Sequence, residues 1–376
     1  MLAPTSSISQ AANVFSGCEE FTATYGALFN LGPTKTAIMG PMCVVETSVS
    51  LGPGVGDQLM YRGQTISWVD QYRYLGVLID RTLNFEAHFK SMLARGWSAF
   101  NSLIGASYSF MLPMPVQAAA IPGGVEQSAL FGMEFCIDVR GALHQLNRMQ
   151  VGWAKALLGI RDCPQGQWSF LVAECGWTVR LGTRMIMRAI LLHARIVLLP
   201  VTCPAHIVAS RARACKSKPW VSSVASLCKS NKLPQHISLV EEMFPTEAIE
   251  SARHCKTQRQ RLLQQYTTHV KAALRTYDEH EFQATAAKSV WPYSMFQRWP
   301  ENLPEVVITA DWDNTTWCCY RAWSVARATG RLPLCVYGAA GLPQSLSLCP
   351  LCQAPDVDLK HFTAQCAGTA DLRAVW

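Results

Sequence analysis

Charge is scarce in this chain. Only 16% of its 376 residues are Asp, Glu, Lys or Arg, while 49% are hydrophobic. An ordinary soluble domain carries about a quarter charged residues. A chain disordered along most of its length needs the opposite balance and is excluded. Long apolar runs are also lacking: the most apolar window, 185 to 200, is broken by Arg188, His193 and Arg195, whereas a bilayer span needs about 20 mostly apolar residues. No membrane span is expected. The first thirty residues carry Glu19 and Glu20, lack an early basic cluster and have no apolar core before a small-residue site, so they do not read as a secretory leader. There is no internal repeat of 20 to 50 residues, no sustained heptad and no collagen period. No Ser or Cys stands in a nucleophile elbow, and the glycines of 52–56 are not followed by Lys-Ser or Lys-Thr, so a phosphate loop is not read there.

Cysteine and basic residues are what the chain does have. Fifteen cysteines, an odd number spread from Cys18 to Cys366, read as reduced thiols or metal ligands in an intracellular protein rather than a disulfide framework. The formal charge is +7, and it is concentrated. Residues 202 to 276 hold twelve Lys and Arg against four Glu, leaving the rest about neutral. Arg211, Arg213, Lys216, Lys218, Lys229 and Lys232 form a stretch with no acid, which suits contact with a polyanion or, more blandly, a solvated linker.

Periodicity predicts an α+β chain that is mostly helical. A helix opens it, with Ile8, Ala11, Phe15, Cys18, Thr22 and Tyr25 at helical spacing. Short strands follow at 59–62, 65–69 and 72–79, the last rich in aromatic and branched residues. From Phe85 a long helix shows one apolar face and carries Lys90 and Arg95 elsewhere. Further helices are expected at 115–138, 141–159 and 182–199; Arg184, Arg188 and Arg195 lie beside the apolar seam of the last, placed to track phosphates or to snorkel at a domain surface. Five prolines make 200–245 read as a linker, and one more helix is expected over 248–277, then a strand at 306–310. The predicted domains are 1–82, a helical 83–200, a basic helical connector 201–305 and a C-terminal region 306–376.

That last region holds the strongest local signal, Cys349, Cys352, His361 and Cys366 in the pattern C-x2-C-x8-H-x4-C. Zinc takes four such ligands in a tetrahedron, and a C-x2-C turn can point both sulfurs at one ion. Four protein ligands close the sphere, so the expected Zn2+ is structural, its binding worth on the order of 10 kcal/mol of folding energy. Asp311 and Asp313, after a predicted strand, either share a divalent cation in a nuclease or transferase site or simply lead into a capped helix.

In this order the elements resemble the C-terminal half of a non-LTR (LINE-type) retrotransposon reverse transcriptase, an RNA-directed DNA polymerase. The residues that carry the likeness are Phe29-Asn30, Pro33 to Thr36, Tyr72 to Val77 with Asp80, Phe131 to Glu134, the Leu146 to Gly159 segment, the arginine-bearing helix and the terminal cysteine-histidine cluster. The likeness covers roughly 8–200 and 315–376. It implies a distal palm remnant over 1–82, a thumb over 83–200 and a zinc knuckle at 349–366. It places Tyr74, Leu75 and Gly76 in a hairpin that grips the primer strand and Lys35 near nucleotide or template. Nuclear residence would suit the family's mode of integration.

The resemblance also exposes what is missing. The family's Phe/Tyr-Ala-Asp-Asp turn does not occur in this sequence, and polymerisation needs carboxylates holding two divalent ions. Magnesium would enter only with that absent catalytic half. The expected product is therefore a truncated fragment that binds RNA or DNA without polymerising; a retroelement remnant with no selected role is the other expectation. Lys35, Lys90, Arg95, Arg184, Arg188, Arg195, Arg211, Arg213, Lys216 and Lys218 are the expected nucleic-acid contacts.

Overall fold

The computed structural model describes residues 60–61, 64–65, 69–80, 84–109, 114–158, 171–172, 175–177, 179–214, 220–229 and 237–287, with 346–348, 352, 354–357, 361, 365–367 and 370 from the tail. The expected opening helix, Lys35 and the strand at 306–310 with Asp311 and Asp313 lie outside the described residues. Two compact units divide the chain, Met1–Ser91 and Met92–Trp376.

In the first unit, β1 (Met60–Tyr61) pairs antiparallel with β2 (Gln64–Thr65), and β3 (Gln71–Tyr74) with β4 (Val77–Asp80). The run expected as one strand over 72–79 is thus a hairpin. Its register sets Tyr72 opposite Ile79 and Tyr74 opposite Val77, so Leu75 and Gly76 alone make the turn. Asn84 then starts α1 (Glu86–Ser109), its Oδ1 accepting from the Glu86 amide at 2.8 Å. That contact satisfies one of the amides a helix start leaves without an internal partner.

The described residues of the second unit are mostly helical. After α1 come α2 (Met114–Ala120), a π-helical turn (Ile121–Val125), α3 (Glu126–Ala129) and a 3-10 turn (Met133–Phe135). The helix expected over 115–138 is therefore broken. Pro122 has no amide to give, Gly123 and Gly124 weaken the helix, and Gly132, at φ 67°, sits in the left-handed region. Next are α4 (Ala142–Leu158) and α5 (Leu181–Val197), both within two residues of expectation.

The described residues of 200–245 are mainly helical rather than linker-like. They form α6 (Pro204–Ala214), α7 (Trp220–Lys229) and α8 (Val240–Met243). Pro204 opens its helix, where its fixed φ is suitable and its missing amide costs nothing. Val224, Cys228, Ile237 and Val240 are buried in a core shared with Ala189, Ile190 and Ala194 of α5. The expected 248–277 helix is two, α9 (Thr246–His254) and the 32-residue α10 (Lys256–Ala287), separated by Cys255 in an extended conformation. Tyr266, Val270 and Leu274 bring α10 into the same core.

How α5 begins explains much of this packing. No side chain of its own caps it, so its first donors turn to its neighbours. The Leu181 amide donates to Gln150 Oε1 at 2.9 Å and the Gly182 amide to Asn147 Oδ1 at 2.8 Å, both from α4. From α10, buried Asp278 accepts from the Arg180 amide, Arg180 Nε and Thr183 Oγ1 at 2.9, 2.7 and 2.8 Å. Arg180 also lies 5.0 Å from the centre of the Tyr277 ring. Burial disfavours the Arg180 charge, but Asp278, Tyr277 and Glu281 outweigh it and hold its pKa above the ordinary value.

In the tail, β5 (Leu346–Leu348) pairs antiparallel with β6 (Pro355–Val357). Among the described residues no helix is long and apolar enough to cross a membrane.

Candidate nucleic-acid interface and metal cluster

The β3–β4 hairpin presents an unusual tip. Both turn residues have positive φ, 48° at Leu75 and 89° at Gly76, the geometry in which two residues match the twist of the flanking strands. Glycine adopts it freely. Leucine does not, because its Cβ crowds the following carbonyl at a cost of roughly 1–2 kcal/mol. Leu75 nevertheless projects outward, 79% exposed. Tyr72 and Tyr74 lie half-buried on one face, with Gln71 and Arg73 exposed on the other. Gln71 Nε2 donates to Asp80 Oδ2 across the strands at 3.3 Å, and the Leu78 amide donates to Nδ1 of buried His88 at 3.2 Å, tying the hairpin to the start of α1.

The expected basic contacts divide by environment. Lys90 and Arg95 are exposed on α1, Lys90 reaching Glu86 only at 4.0 Å. On α5, Arg184 and Arg188 are taken up within the protein. Arg184 Nη1 lies 2.9 Å from Oε2 of Glu126, which is fully buried. Arg188 donates to the Leu130 carbonyl at 2.7 Å and to Gln127 Oε1. Burial raises the Glu126 carboxyl above its ordinary pKa, Arg184 and Arg188 opposing it only in part. Burial likewise lowers the Arg188 pKa, with Glu134 and Glu126 pulling the other way and Arg184 adding to the fall.

Arg195, two helical turns beyond Arg188, stays exposed with no ion pair among the described residues, and Arg211 is exposed on α6. The backbone of Arg213 is in α6; its side chain, like Lys216 and Lys218, lies outside the described residues. In the former connector, Arg253 Nε donates to the Val197 carbonyl at 3.2 Å, and Arg259 reaches the Ala252 and Arg253 carbonyls at 3.2 and 2.8 Å. These side chains close helix ends, as cations near C-terminal carbonyls do. Lys256, Arg261 and Lys271 of α10 remain exposed with no ion pair among the described residues.

Three of the four residues expected to hold zinc come together. The ligand atoms of Cys352, His361 and Cys366 all lie within 4.8 Å of one another, with Cys352 Sγ 3.2 Å from His361 Nε2. A sulfur and a nitrogen on one tetrahedral zinc stand about 3.6 Å apart. The Cys366 amide donates to the His361 carbonyl at 2.6 Å, which folds the second pair into one turn. The cluster could hold a metal ion. Cys349 lies outside the described residues.

Two features escaped the sequence reading. Glu126 is the single acid between Glu86 and Glu134, a signal that an apolar stretch had to accommodate a charge, but its arginine partners are 58 and 62 positions away. The second is Trp97, which covers Gly152 of α4 from α1: a Cβ at Gly152 would meet its ring at 2.6 Å. No protein-family model, curated protein or solved structure matches the chain.

Proposed function

We propose that the chain is a nucleic-acid-binding protein of reverse-transcriptase type that holds strands without polymerising them. The observation that carries this reading is the Leu75–Gly76 turn. A solvent-exposed leucine in a left-handed conformation is the arrangement expected where a hairpin tip is kept for contact rather than for stability. The likeness of Tyr72 to Val77 to a primer-gripping hairpin gives that contact a chemistry. Exposed Arg195, Lys256, Arg261 and Lys271 in the helical unit, with no ion pair among the described residues, supply cations for phosphates. In this proposal Cys349 joins Cys352, His361 and Cys366 on a structural Zn2+, which closes the tail around the ion.

The test is fluorescence anisotropy of the purified chain with a labelled RNA–DNA primer–template. About six phosphate contacts make affinity fall roughly a thousandfold between about 50 and about 200 mM salt; affinity indifferent to salt rules the electrostatic reading out. Leu75→Asn, which tolerates the left-handed region better, weakens binding while leaving the fold at least as stable. If that variant binds as tightly as the parent, the hairpin is not part of the interface.

A further inference from the structure

Trp97 is held in a way that core packing does not require. Its ring lies across Gly152, where a Cβ would come within 2.6 Å of Cη2 and 2.9 Å of Cζ2, so only glycine lets the indole settle there. Its edges meet Phe100 and Trp153 in T-shaped contacts at 5.9 and 6.3 Å, which fix its orientation. Phe100 and Trp153 are buried, yet Trp97 stays 39% exposed. It is a rigid aromatic platform open to solvent.

Its surroundings are cationic. Arg148 and Lys155 stand one turn to either side of Gly152 on α4, at i−4 and i+3, and neither has an ion pair among the described residues. From Ala87 to the end of α1, and throughout α4, there is no Asp or Glu. Neither α1 nor α4 exposes another large hydrophobic side chain among the described residues. A protein-docking patch is built from contiguous apolar area with a polar rim. A lone aromatic plane flanked by unpaired cations instead fits a base stacked on the ring, with its neighbouring phosphates on the cations.

We propose that Trp97 is a stacking platform for one unpaired base of single-stranded nucleic acid, with Arg148 and Lys155 holding the adjoining phosphates. This rests on the nucleic-acid reading above and names a contact within it that the hairpin does not supply.

The test compares the parent with Trp97→Leu, which still covers Gly152, and Trp97→Phe, which keeps an aromatic face. Anisotropy is measured with labelled oligo(dT) and with a duplex of the same length, and thermal melts confirm that each variant is folded. Trp97→Leu loses about tenfold in affinity for oligo(dT), the worth of one stacked base, and Trp97→Phe loses much less. Duplex affinity is unchanged in both. Neutralising Arg148 and Lys155 to Gln lowers the salt slope for oligo(dT) by about 1.4. Folded Trp97→Leu with parental oligo(dT) affinity overturns the proposal and leaves the hairpin reading standing. If that variant also converts a dimer to a monomer in sedimentation, a second copy of the chain covers the ring instead. A parent that binds neither oligo(dT), duplex nor primer–template removes both readings together.

Discussion

Burial outweighs charge partners at Glu126 and Cys136, the reverse of the balance at Arg180. Glu126 shows the sign of that effect. Its folded pKa stands above its unfolded one because burial outweighs Arg184 and Arg188. Between those two values the folded chain keeps a proton that the unfolded chain has released. The contribution of this group to stability is therefore complete below the unfolded pKa and lost as pH rises through the folded one. Glu126→Gln removes this dependence. Urea midpoints of the two proteins, compared from about pH 4 to about pH 8, diverge progressively with pH, and parallel curves would contradict the assignment. Cysteines sort by the same rule. Burial, with a smaller push from Glu134, raises the Cys136 thiol to about 12, whereas Cys255 is exposed between two helices. Under native conditions near neutral pH a thiol reagent labels Cys255 within minutes and spares Cys136, because only thiolate reacts; mass spectrometry of peptides reads the difference. Gly152→Ala thrusts a methyl into Trp97 and costs about 1–3 kcal/mol in urea unfolding.

Secondary elements were legible in the sequence where their pattern is local. The stripe Leu143, Leu146, Met149, Trp153 and Leu157 placed α4, and the four-and-three steps from Met185 placed α5, since one buried face suffices to write that period. The β3–β4 turn was not legible as residues alone, because leucine is a poor marker for positive φ. The segment 200–245 misled through its prolines, one of which starts a helix rather than stopping it. In the candidate sites, the cysteine-histidine cluster was readable because its ligands lie close in sequence. The fate of Arg184 and Arg188 was not, since periodicity places a residue on a face but is silent on a partner nearly sixty residues distant. The join between α4, α5 and α10 is equally non-local, and it carries a prediction. Asp278→Ala leaves Arg180 buried without its carboxylate and α5 without part of its cap, costing about 3–5 kcal/mol. Asp278→Asn, still able to accept, costs less. Chemical denaturation of both variants checks the order, and a loss under about 1 kcal/mol for the alanine variant would show the network is dispensable.

The molecule as a whole divides into parts with separate dependencies. Chelating zinc is expected to loosen the 346–370 tail while the α5-centred core keeps its melting transition, because the candidate ligands all come from the tail. Elemental analysis of the purified chain gives about one zinc per chain, and less than about half an equivalent counts against four-ligand closure. On the proposed reading no extension is expected with deoxynucleotides, magnesium and a primed template, since the Phe/Tyr-Ala-Asp-Asp turn that would hold two metal ions does not occur in this sequence. Helix ends ordinarily fray first, yet the leading amides of α5 are gripped by α4 before it and α10 after it in the chain. Deuterium can reach Leu181 and Gly182 only when α5 parts from α4, and Arg180 only when α5 parts from α10. Their exchange rate becomes a gauge of global opening, slower than the amides at the ends of α10, so this helix would melt from its tail towards its head.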